Sequence, residues 1–98
     1  ADGAATFRNV LVEWTSGGPD GVAVDVQGNV WVAVASAQSP SVCAYAATGQ
    51  VLGCITIPEV PSNVAFGRGD ESRTLYVTAR TGLYRVLVGV SGYHLPRQ

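Results

Sequence analysis

The chain has 98 residues, of which 47% are apolar and 13% charged, and its formal net charge of −1 comes from seven acidic residues against six Arg and no Lys. Typical soluble domains carry roughly 25% charged residues, so much of this surface calls for cover. The scattered Arg make no basic stripe for nucleic acid, and no apolar run approaches the roughly 18–20 residues of a membrane span. The expected cover is therefore protein, and neither nucleic acid nor membrane is an expected partner.

In chain order, residues 7–14 alternate loosely and predict a strand, closed by Thr15-Ser16-Gly17-Gly18-Pro19, a loop by its chemistry. Residues 22–24 make a short apolar strand. Asp25-Val26-Gln27-Gly28-Asn29 ends it, with Asp25 suited to cap a turn and Gly28 to take the left-handed position. A β-branched and aromatic strand follows at 30–35, a connector at 36–40 and a third strand at 41–45. Thr48-Gly49 then predicts a hairpin turn into strand 51–57. Residues 58–61 hand over to a second unit with strands 64–66, 74–78 and 83–88. The polar stretch 68–73 is its exposed tip, and 89–98 is a Gly-punctuated tail. No segment carries a helical period.

The two units repeat each other. Pro19-Asp20-Gly21-Val22-Ala23-Val24-Asp25 leads to Gly28-Asn29-Val30-Trp31-Val32-Ala33, and Pro61-Ser62-Asn63-Val64-Ala65-Phe66-Gly67 leads to Leu75-Tyr76-Val77-Thr78. A spacing of about 42 residues between the prolines suits one four-stranded propeller blade per repeat. The expected fold is all-β: about two four-stranded blades of a six-bladed β-propeller, within one partial domain spanning 1–98. Its parts are a complete blade at 20–57, an incomplete blade at 61–88, the tail at 89–98, and 7–14 as the outer strand of a neighbouring blade. Blades stack on neighbours and cannot bury a core alone, so completion is expected from missing segments of a longer propeller or from other copies. In the second case 7–14 of one copy completes the three-stranded blade of the next and three chains close a ring. Strand count favours the first. The chain contains no Met, so Ala1 is expected to have been exposed by processing, whether loss of a longer N-terminal part or cleavage of a secretory signal. Cytoplasmic and secreted settings both stay open.

At the level of motifs the chain resembles the C-terminal part of the senescence-marker-protein, gluconolactonase and regucalcin-like family. The likeness rests on Gly18 through Asp25 with Gly28 through Ala33, on Pro61 through Gly67, and on Thr74-Leu75-Tyr76-Val77-Thr78-Ala79-Arg80-Thr81 with Leu83-Tyr84-Arg85-Val86, in the family's order and spacing over about 7–89. The resemblance implies a six-bladed propeller with a divalent cation, calcium before zinc, at its central channel, and hydrolysis of sugar or related lactones. In the family's Pro-Asp-Gly motif the Asp is a metal ligand and candidate general base, which carries over to Asp20. The family's partner ligands, a Glu from the first blade and an Asn from a middle blade, match no segment of this chain.

Each candidate has a plainer reading beside it. Asp20 is also a turn residue after Pro, Asn63 a turn-former at a strand start, and Arg80 an inter-blade hydrogen-bonding group. As functional residues, Asp20 would be catalytic and metal-binding, and Asn63 and Arg80 would line the substrate pocket. Asp25 is read as structural, Trp31 and Tyr76 as blade packing, and His94 as carrying no chemistry.

Cys43 and Cys54 flank the Thr48-Gly49 turn. A two-residue turn sets them directly opposite, whereas a four-residue turn with a Gly bulge shifts them by one. Two free, buried thiols are the expectation. The functions in view are a metal-dependent lactonase or the C-terminal part of one, a non-catalytic propeller binding or self-assembling module, and an inactive remnant of an enzyme.

Overall fold

The computed structural model describes residues 8–14 and 18–94. Seven strands make two antiparallel sheets in simple meander order: β1 (Pro19–Val24), β2 (Val30–Val34), β3 (Ser41–Tyr45) and β4 (Val51–Thr56) in one, β5 (Pro61–Phe66), β6 (Thr74–Ala79) and β7 (Leu83–Leu87) in the other. A single 3-10 turn, Gly69–Glu71, sits in the polar tip. This is an all-β partial propeller of one four-stranded and one three-stranded blade.

Side-chain alternation along each strand gives the first blade two apolar faces. Ala33 and Val42 on one face meet Val64, Phe66, Leu75 and Val77 of the second blade, all under 7% exposed, and form the inter-blade core. Trp31 stands edge-on to Phe66 with ring centroids 5.9 Å apart. Its register equivalent, Tyr76, turns to the far side of the second blade and donates its hydroxyl to Glu71. Beside that core an open groove of about 270 Å³ is lined by Trp31, Ala44, Leu52, Gly53, Ile55 and Val90, among others.

The opposite face of the first blade carries Val32, Val34, Cys43 and Tyr45, covered by Val12 and Trp14. Trp14 meets Tyr45 edge-on. Residues 8–14 therefore lie over the middle strands of this face but belong to neither sheet; Phe7 lies outside the described residues. Val22 and Val24 on the inner strand stay exposed.

Both inner strands start earlier than their apolar residues predict. Pro19 pairs with Val34 and Pro61 with Ala79, and each strand then bulges, between Pro19 and Val22 and between Pro61 and Asn63. Proline at a strand's first residue is compatible with pairing, because its missing N–H removes no bond from the ladder interior.

Cys43 and Cys54 form a disulfide rather than the expected pair of free thiols. The turn is four residues long, with Gly49 N–H donating to Ala46 C=O and Gly49 at φ +94°. That alone would put the cysteines one residue out of register. An irregularity at Leu52 restores it: Tyr45 pairs with Val51, yet Ala44 pairs with Gly53 and Cys43 with Cys54.

Candidate functional site

The inner strands β1 and β5 run against each other across the seam between the blades. At Gly21 the approach is so close that a Cβ would lie 2.6 Å from Asn63 Cα, which only glycine permits. The prolines and bulges that open both strands lie beside this contact. A bulge interrupts the regular alternation, and here the irregularities fall at Asp20-Gly21 and at Ser62, directly after Pro19 and Pro61. Both line a cleft of about 430 Å³, together with Ala37, Val60, Pro61, Ala79 and Arg80.

The structure thus brings two of the sequence-derived residues, Asp20 and Arg80, to one cleft. Both are exposed. Asn63 is not among the lining residues; it sits against Gly21, and its Oδ1 accepts the Val64 N–H at 2.9 Å. Ser62 escaped the sequence reading, although it stands next after Pro61 as Asp20 stands next after Pro19.

Glu59 also escaped it. From the β4–β5 connector its Oε1 accepts the Thr81 N–H at 3.0 Å and the Thr81 hydroxyl at 2.8 Å, and its Oε2 accepts the Tyr84 hydroxyl. These bonds tie the connector to the β6–β7 turn that carries Arg80. The Tyr84 hydroxyl first, then Thr81, with the Arg80 charge adding, hold the Glu59 carboxyl below its ordinary 4.5. Donation to that carboxylate pushes the Tyr84 phenol up.

Asp25 is a structural hub, as its sequence context suggests. Its carboxylate accepts the Gln27 and Asn29 backbone N–H groups, the Asn29 carboxamide and the Trp31 indole N–H, all within 3.0 Å. Its backbone closes the turn with Gly28 at φ +84°. Burial pushes this carboxyl up, but the bonds from Trp31, Asn29 and Gln27 together outweigh it and hold the group below 3.8. His94 Nε2 lies 3.1 Å from the Gly67 carbonyl, to which it donates, and so fastens the tail.

Among the described residues no three or more His, Cys, Asp or Glu side chains gather as a metal cluster. In the cleft Asp20 is the one carboxylate of the lining, with the Ser62 hydroxyl and the Arg80 cation beside it. Calcium takes about six to eight oxygen ligands, and a guanidinium nearby opposes a second cation. The residues of this chain do not make a complete cation site.

Comparison with known proteins agrees with this architecture. Residues 1–81 match the SMP-30/gluconolactonase/LRE-like region. An X-ray structure of a provisionally named gluconolactonase superposes with a TM-score of 0.81 at 30% identity, covering 97% of this chain and 31% of that one. The chain therefore spans about a third of the length of that relative. None of the curated proteins matches it. On the family match, the two-blade sheet order and the inner-strand motifs together, the chain belongs to the SMP-30/gluconolactonase/LRE-like family.

Proposed function

We propose that the cleft at Asp20 is this chain's share of a site that hydrolyses sugar or related lactones. The observation that carries the reading is that Asp20 is exposed, sits in the bulge at the start of an inner strand, and lines one cleft with the second blade's Ser62 and Arg80. Asp20 would act as general base, taking the proton of a water that attacks the lactone carbonyl; the ring C–O bond breaks to give a hydroxy acid. The Arg80 guanidinium can bind substrate oxygens, with Asn63 flanking it, while the Ser62 hydroxyl is bonded to Thr78. The reading includes a divalent cation, calcium before zinc, to which this chain would give Asp20 as one ligand while the others come from outside it.

Hydrolysis of D-glucono-1,5-lactone, followed by acid release, tests this. Asp20→Asn should lower the rate by about 100-fold or more, the usual scale for a lost general base, with no change in Tm because Asp20 is exposed. A rate unchanged in that variant would falsify the role. Chelator should abolish the rate and calcium restore it.

A second reading, a non-catalytic propeller module completed by copies of itself, is favoured by three features: the uncovered Val22 and Val24, the groove beside Trp31, and residues 8–14 lying outside both sheets. It expects no hydrolysis with or without metal.

A further inference from the structure

Resting on the lactonase reading, we infer that Arg80 is an anion-recognition residue positioned by Glu59, so that the cleft selects lactones carrying a free carboxylate over neutral ones. Three observations support it. Arg80 is the one cation of the cleft lining, on the wall formed by the second blade, across from the ester-hydrolysing group proposed at Asp20. Among the described residues no hydrogen bond or ion pair engages its guanidinium, and Glu59, whose carboxyl feels the Arg80 charge, is held by other donors. Both Glu59 oxygens are taken, one by the Thr81 amide and hydroxyl and the other by the Tyr84 hydroxyl. The Arg80 donors, without a protein partner among the described residues, can meet a ligand.

The third observation is rigidity. Val60 and Pro61 on one side and Ala79 and Arg80 on the other form cleft wall, and Glu59 adjoins the first pair while gripping Thr81 next to the second. The brace fixes the distance between connector and turn, which lowers the cost of ordering Arg80 on a bound carboxylate. A guanidinium fork matches a carboxylate with two parallel hydrogen bonds. A lactone whose free carboxylate meets Arg80 occupies the cleft that Asp20 also lines.

The test is an NMR titration of the isotopically labelled chain with D-glucaro-1,4-lactone, which carries a free carboxylate, and with neutral D-glucono-1,5-lactone. It is read at the Arg80 Nε–H and the Ser62 and Thr81 amides. The anionic lactone should bind about fivefold tighter, the scale of an exposed ion pair, and the difference should vanish in roughly 0.5 M salt, where charges are screened. Arg80→Gln should remove the difference, and Glu59→Gln should reduce it. Equal binding of the two lactones, or a preference that survives Arg80→Gln, overturns the inference. Hydrolysis, followed separately with segments that supply the remaining cation ligands present, separates the two ideas. Charge selectivity without hydrolysis counts against the lactonase reading alone, and hydrolysis without selectivity counts against the inference alone.

Discussion

Asp25 shows how one buried acid can be stabilising. It is 1% exposed, yet every lone pair it buries is met by a donor from its own turn or from Trp31, so the cost of desolvation is offset locally. Replacing it with Ala strands the Trp31 indole N–H and two backbone amides, and should cost about 3 kcal/mol by urea unfolding at neutral pH. Because the folded carboxyl lies below 3.8, its contribution is full above that value and is lost as pH falls through the lower folded value. The parent chain should therefore lose stability below about pH 4 more steeply than Asp25→Ala does, measured as the difference in urea midpoint at pH 7 and pH 3. The hub was legible in the sequence as an Asp and a Gly bracketing a turn. Its grip on Trp31 was not, because that contact depends on the pairing of Ala23 with Trp31 across the hairpin.

Among elements, the β3–β4 hairpin is where local rules misled. Turn chemistry correctly indicated Gly49, but pairing further along depends on how the whole sheet twists, and the extra residue at Leu52 reset the register that the turn had offset. An irregularity of that kind leaves no signal in Val51-Leu52-Gly53. The resulting disulfide closes a short loop, for which chain entropy gives about 3 kcal/mol. Reduction should lower the urea midpoint accordingly, and Cys43→Ala/Cys54→Ala should show no further response to reductant. The bulges at Asp20 and Ser62 were likewise hidden, although the prolines that precede them were plain to read. Gly21 offers a sharper check. Gly21→Ala forces its Cβ onto the Asn63 backbone, so it should destabilise by about 1–3 kcal/mol. Shortening the Asn63 side chain as well removes the contacts with Oδ1 and Cγ but not the one with Cα, so it should restore only part of the loss.

At the scale of the molecule, the stacking was legible because two copies of one pattern stand side by side in the chain, and the family's motifs fall where inner strands belong. Asp20 came from the resemblance and Arg80 from its own segment; their sharing a cleft follows from the seam between blades, which no single strand encodes. Leu83 and Leu87 on the second blade and Val22 and Val24 on the first remain 40–79% exposed, faces that a propeller covers with further blades. Light scattering of the chain decides who supplies them. If copies do, a sharp trimer mass is expected, and Val22→Asp should dissociate it; a monomer assigns the cover to sequence outside this chain. The contact of Gly21 with Asn63 also bears on engineering. The spacing of the two inner strands is set there by glycine against Asn63, so substitutions at Asp20, Ser62 or Arg80 can recast what the cleft recognises without moving the strands apart.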